Sequence, residues 1–211
     1  MAVLQKSGLY YPNKLGLIAL ESLEEVMGKN GLRTILGLAG LSKYVDTYPP
    51  DNLQKQIDFA EISAIGQALE TMYGPRGGRG LALKAGRATF PDTLRQFGVL
   101  VGVADLSSTV LPLQAKLRIG LNAFAQIFAQ LTDQKTGVEE SRGDFIWTIY
   151  KCPYCWGREG EHQPVCYTAT GLLQESLRWL SGVREFRVEE TECIAMGDGA
   201  CVFLIHQEPM A

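Results

Sequence analysis

The hydrophobic positions change period about two thirds of the way along the chain. From Asn13 to Met27, Leu15, Ile18, Leu23, Val26 and Met27 form a helical stripe that Gly28 stops, and Leu32, Ile35, Leu36 and Ala39 predict a second short helix. The run YPPDNLQ then breaks the chain. Asp51, with Gln54 three residues on, reads as a capping box. It opens a helix carrying Ile57, Ile62, Ile65, Leu69 and Met72, which ends at Tyr73-Gly74. GPRGGRG (Gly74–Gly80) reads as a connector, and Pro91 must interrupt or restart the segment that follows. Across Leu111–Leu131 the residues Leu113, Leu117, Leu121, Phe124, Phe128 and Leu131 keep helical spacing, and the length decides for a helix.

After Gln134 the pattern shortens. Phe145–Tyr150 (FIWTIY) is aromatic and β-branched and reads as a strand, paired with Gly137–Arg142 across Arg142-Gly143-Asp144. Thr168–Leu180 is a helix carrying Leu172, Leu173, Leu177 and Leu180, closed by Gly182. Arg184–Cys193 and Ala200–His206 are strands joined by Gly197-Asp198-Gly199. The predicted class is α+β, an antiparallel sheet packed with helices. A mainly helical part spans 1–134 and an α+β core 135–211, together one compact domain.

Composition narrows the function classes. The 211 residues are 46% hydrophobic and 20% charged, with a net charge of -3 and dispersed basic residues, which points away from nucleic acid. The most apolar stretch, Phe97–Leu113, is too short to span a bilayer and contains Asp105, so no membrane insertion is expected. The first twenty residues lack a signal-peptide core, and five cysteines, an odd number, point away from a disulfide framework. The expectation is a soluble cytoplasmic protein.

The chemistry concentrates near the C-terminal end. Glu190 shares the inward phase of Phe186 and Val188, while Cys201, Phe203 and Ile205 share one face of the next strand. A carboxylate on a buried face is costly unless neutralised, and a metal ion held with thiolates of Cys193 and Cys201 would do so. Residues three apart face opposite sides of a strand, so the chain must bend or bulge after Glu190. Cys166 precedes the Thr168 helix, whose N-terminus favours a thiolate. Three thiolates and a carboxylate fill a tetrahedron, and zinc suits such a set. Other readings stay open from spacing alone: cysteines as small core residues, Glu190 paired with Arg184 or Arg187, or a hairpin disulfide between Cys193 and Cys201.

The run from Cys166 through YTATGLLQESLRWLSGVREFRVEETECIAMGDGACVFLI resembles the 4-vinyl reductase domain. That pattern is a Cys before a helix, a Glu-x-x-Cys, a Gly-Asp turn and Cys-x-Phe. The resemblance covers roughly the last 70 residues. It implies the fold of the nitric-oxide-sensing and Golgi-transport ligand domains, a zinc on Cys166, Glu190, Cys193 and Cys201, a homodimer through N-terminal helices such as Ile57–Met72, and a pocket between the long helix and the sheet. Phe124, Phe128 and Trp147 are then pocket candidates besides core residues, and Arg118 is a candidate charged group. Phenol sensors of this type place a histidine in the pocket, whereas the only histidines here are His162 and His206.

Cys152 and Cys155 (KCPYCW) lie outside that pattern. They form a C-x-x-C that can be half a zinc knuckle or a redox pair, or join Cys166 and a hairpin cysteine in an alternative set. Five cysteines do not supply two separate sites without oxygen or imidazole ligands, and a lid or loop role is favoured over redox catalysis. GPRGGRG lacks the Lys-Ser/Thr ending of a phosphate loop and follows a helix. The expected function is a non-catalytic small-molecule-binding protein with a structural zinc and an apolar pocket for a hydrophobic, aromatic or tetrapyrrole-related ligand. The alternative is an accessory or vinyl reductase of (bacterio)chlorophyll synthesis, although no strand–GxGxxG–helix unit for a nicotinamide is present. A third reading is an assembly scaffold.

Overall fold

The computed structural model describes residues 5–141 and 143–210. Arg142, assigned above to a strand end and turn, lies outside the described residues. Two short strands that the hydrophobic pattern does not announce, β1 (Tyr10–Pro12) and β2 (Lys55–Asp58), pair antiparallel at the edge of the helical part. Between them runs α1 (Asn13–Leu38), broken at Gly28 (φ 75, ψ 160), the stop that the sequence indicates. The next helix, α2 (Phe59–Phe97), starts later than the capping box at Asp51 requires. Asp51 pairs instead with Lys14 at 2.5 Å, because residues 55–58 serve as a strand. Asp58 is the actual N-cap: its buried carboxylate accepts from the Ala60 N–H at 2.9 Å and from the Ser7 N–H and hydroxyl at 3.0 and 2.7 Å.

GPRGGRG is helical rather than a connector. Only Gly74 (φ 72, ψ 168) breaks the geometry, and Pro75 follows it, where a helix start loses nothing from the missing N–H. A Cβ on Gly78 would stand 2.5 Å from the backbone nitrogen of Glu70, so this glycine serves close packing. α2 then continues through Pro91 without a second break.

α3 (Leu113–Leu131) follows the predicted stripe. β3 (Thr136–Ser141), β4 (Asp144–Ile149), α4 (Tyr167–Ser181), β5 (Phe186–Glu192) and β6 (Cys201–Pro209) complete the chain. Their sheet is fully antiparallel in the order β3-β4-β6-β5, so β4 is flanked by β3 and β6. The fold is α+β with a helical N-terminal part.

One core runs through both parts, from Tyr11 and Phe59 to Phe203 and Ile205. A second cluster, including Leu32, Ile35, Leu36 and Leu69, lies between α1 and α2. The two parts lock where α2 crosses α4. A Cβ on Gly86 would lie 2.0 Å from the Thr168 carbonyl oxygen, and one on Gly171 would lie 2.0 Å from that of Leu83. The helices meet backbone to backbone there, which fixes the N-terminus of α4 and its N-cap residue Cys166.

Candidate metal centre and adjoining cavity

All five cysteines are buried and unbridged, and they converge. Cys166 stands at the start of α4, Cys193 at the end of the β5 side of the hairpin, and Cys201 at the first position of β6. Their sulfurs are 3.7 Å (Cys166–Cys201), 3.9 Å (Cys166–Cys193) and 3.9 Å (Cys193–Cys201) apart. A tetrahedral zinc with bonds of about 2.3 Å sets its sulfurs roughly 3.8 Å apart, so three thiolates already stand at the edges of such a site. Glu190 supplies the fourth corner: an oxygen of its carboxyl group lies within 4.8 Å of all three sulfurs.

The strand bulges where the spacing requires it. Glu190 pairs with Phe203 and Glu192 with Val202, so Thr191 is the extra residue that turns Glu190 and Cys193 toward one point. Glu190 Oε2 accepts from the Cys166 N–H at 2.8 Å, whereas Oε1 is buried with no hydrogen-bond partner among the described residues. That orphaned oxygen is what an ion would satisfy. Arg187 pairs with Glu189 rather than with Glu190, and Cys193 and Cys201 form no disulfide.

The second cysteine pair belongs to the same place. β4 pairs Ile149 with Cys201, and the chain leaving β4 folds back over the hairpin. It brings Cys152 to 3.6 Å from Cys166 and Cys155 to 3.4 Å from Cys201. Cys152, Cys155, Cys166 and Cys201 thus form a second set of four that could hold an ion. A buried Arg158 pins this loop by ion pairs to Glu70 on α2 (3.0 Å) and to Glu161 (2.7 Å), and the Glu161 N–H reaches the Ala195 carbonyl at 3.0 Å.

With protons as the only counter-charge, these groups cannot all ionise together. Burial holds the Glu190 carboxyl up at about 9 and pushes the Cys152 and Cys166 thiols above their ordinary range. Cys193 and Cys201 fall to about 6, through sulfur hydrogen bonds led by Cys155 for the first and Cys152 for the second. A divalent cation reverses this balance by favouring every anionic form at once.

Beside the cysteines lies an apolar cavity of about 90 Å³, walled by residues such as Leu15, Ile57, Ile62, Leu69, Phe128 and Leu172. Tyr154, from inside the C-x-x-C, and Thr168, from the first turn of α4, also face it. The Tyr11 hydroxyl donates to Gln134 at its edge, and burial raises both Tyr11 and Tyr154 well above the ordinary phenol range. Phe124 and Trp147 line a smaller space of about 20 Å³, which Phe128 borders as well. Arg118 joins neither. It is exposed and pairs with Glu140 at 2.6 Å, a correction to its expected place in the pocket. His206 faces Asp144 and Glu189, and no histidine lines either space.

Residues 145–207 match the family model of the 4-vinyl reductase domain. That stretch holds Glu190 and all five cysteines, and the resemblance read from the sequence holds across it. No curated protein matches the sequence. Among solved structures, an H-NOX protein from S. oneidensis in the Fe(II)NO ligation state is 12% identical, with 92% of this chain and 98% of that chain covered at a TM-score of 0.59. Fe(II) unliganded H-NOX protein from K. algicida is 15% identical, with 93% and 96% covered and a TM-score of 0.56. The phenol-responsive sensory domain of the transcription activator PoxR is 19% identical, with 72% and 76% covered and a TM-score of 0.49. At these identities the H-NOX likeness establishes the shared fold alone.

Within the matched stretch, sequence reasoning missed that the C-x-x-C loop closes on the same centre. The available signal was that Cys152 follows the FIWTIY strand by two residues, so that any strand paired with its end would carry a neighbour of Cys152. It also missed Arg158, whose anchoring role depends on Glu70 from a distant helix.

Proposed function

We propose that this protein is a non-catalytic binding protein for a small apolar or aromatic molecule, with a structural zinc on Cys166, Glu190, Cys193 and Cys201. The observation that carries the reading is that the cavity and the thiolate cluster share walls. Tyr154 lies between Cys152 and Cys155, and Thr168 and Leu172 belong to the helix that Cys166 caps. Zinc would supply a fixed cross-link between α4 and the β5–β6 hairpin, and its tetrahedron would be filled by protein ligands. The cavity's lining is almost entirely apolar, which selects against charged ligands.

Size narrows the ligand class. A dry apolar cavity of about 150 Å³ takes up benzene. A space of about 90 Å³ therefore suits a molecule of one ring or less with modest movement of its wall. A tetrapyrrole would require α1 and α2 to part, which weakens the pigment-synthesis alternative. A haem held through imidazole has no histidine at this cavity to bind it.

Two measurements test the reading. Elemental analysis of protein purified without chelator is expected to find zinc bound to the chain. Thermal-shift titration with toluene and indole is expected to raise Tm in the parent protein and to leave Ile62→Trp, which fills the cavity, unaffected. Absence of zinc defeats the metal assignment. Equal responses of parent and variant defeat the cavity assignment.

A further inference from the structure

Five buried thiols and the half-buried Glu190 carboxyl converge on the centre, two ligands more than one tetrahedral ion can take. They fall into two sets of four, Cys152, Cys155, Cys166 and Cys201 in one, and Cys166, Glu190, Cys193 and Cys201 in the other. The sets share Cys166 and Cys201 and nothing else. The shared sulfurs are 3.7 Å apart, close to the edge of a zinc–thiolate tetrahedron of roughly 3.8 Å. Two tetrahedra that share an edge need six ligands, two of them bridging, and six are present.

We propose that the centre is dinuclear, with two zinc ions bridged by the thiolates of Cys166 and Cys201. Cys152 and Cys155 complete the coordination of one ion, and Glu190 and Cys193 that of the other. This rests on the zinc reading above and extends it from one ion to two.

Three features of the site support the arrangement. The bridging residues occupy the best-fixed positions, the N-cap of α4 and the first residue of β6, where Cys201 is registered against Ile149. The terminal pairs come from separate segments, the loop after β4 and the bulged end of β5, and each segment can close on its own ion. A single ion in the Glu190 set would leave Cys152 and Cys155 buried beside bound thiolates, at 3.6 and 3.4 Å, with no charge partner of their own. Two divalent cations against five thiolates and one carboxylate leave a net charge of 4 - 6 = -2, counted from the two sets together. Backbone dipoles offset part of it: the α4 N-terminus points at the centre, and the Ile194 N–H lies 3.5 Å from the Cys201 sulfur. An iron–sulfur cluster fits less well, since inorganic sulfides separate its protein thiolates, whereas the ligand atoms of each set here lie within 4.8 Å of one another.

Uptake of the ions displaces protons from the thiols into solvent, with no redox step. Zinc content by elemental analysis and native mass spectrometry of the full chain is the test. Two equivalents per chain are expected, falling to one in the Cys152→Ser, Cys155→Ser double variant. One equivalent in the parent protein overturns the dinuclear site while leaving the structural zinc standing, and none overturns both. Cadmium-substituted parent protein supplies a readout independent of the variant's folding. Two cadmium resonances coupled to each other through shared sulfur are expected, and a single resonance or an uncoupled pair overturns the bridge.

Discussion

Gly171→Ala tests the packing that positions the centre. The added Cβ would sit 2.0 Å from the Leu83 carbonyl oxygen and 2.9 Å from its carbon, both backbone atoms that no rotamer change can move. Carbon–oxygen contacts between packed elements settle at about 3.3–3.6 Å, so α2 and α4 would have to separate by at least ~1 Å. Overpacking of this kind costs about 1–3 kcal/mol, and a rigid backbone partner places this site near the upper end. The helix propensity gained by replacing glycine, roughly 0.5–1 kcal/mol, offsets only part of it. A net loss of ~2 kcal/mol lowers Tm by roughly 4–8 °C in a chain of this size. Gly66→Ala on α2 is the matched control: its Cβ meets nothing within 4 Å, so the propensity gain stands alone and Tm is expected to rise slightly. Scanning calorimetry of both variants gives the comparison. A Gly171→Ala protein as stable as the parent would refute the close crossing.

Cys193→Ser removes a fully buried ligand and is expected to lower Tm by more than about 5 °C, or about 2 kcal/mol at this chain length, because a structural ion contributes directly to folding. An unchanged Tm would count against a structural ion. Burial alone would raise the Asp58 carboxyl, but hydrogen bonds from Ser7, Ala60 and Gly8 outweigh it and hold the group below its ordinary value of 3.8. A depressed carboxyl stabilises the fold above its unfolded value and stops doing so as pH falls through the folded value. Asp58→Ala is therefore expected to cost about 1–2 kcal/mol at neutral pH, with the gap to the parent closing in urea melts taken below pH 3.8. A gap independent of pH would rule out the charged cap. For the expected homodimer, sedimentation velocity at micromolar concentration is decisive, and a monomer there would exclude it. Ile57, Ile62, Ile65 and Leu69 are spent on the cavity wall, which leaves exposed Met72 and Tyr73 as the apolar part of that helix for a partner.

What the sequence discloses and conceals follows the range of the interactions. Glu190, Cys193 and Cys201 are legible because strand phase and a hairpin are local: period two puts Glu190 inward, and the mismatch with Cys193 demands the bulge found at Thr191. Phe124 and Phe128 continue the buried stripe of Leu117 and Leu121, whereas Arg118 stands one residue off that stripe and emerges into solvent. Glycines mislead in the other direction. GPRGGRG has the composition of a loop, yet Gly78 is needed where two backbones touch, and Gly86 and Gly171 serve a crossing between helices some 85 residues apart (171 - 86). No local pattern records that kind of contact.

The C-x-x-C shows the same limit with a functional consequence. Counted along the chain, five cysteines fall one short of two independent thiolate and carboxylate sites of four, which favours a loop role for Cys152 and Cys155. The count changes once β4 pairs with β6, because Ile149 opposite Cys201 carries the following residues onto the hairpin, where ligands can be shared. Tyr154 then cannot move independently of the two sulfurs that flank it, and its ring closes one wall of the cavity. The apolar space and the thiolate centre are thus built from a single loop. An ion that fixes Cys152 and Cys155 also fixes the wall against which a ligand would pack, so the most costly cluster in the chain lies where rigidity matters most for the binding reading.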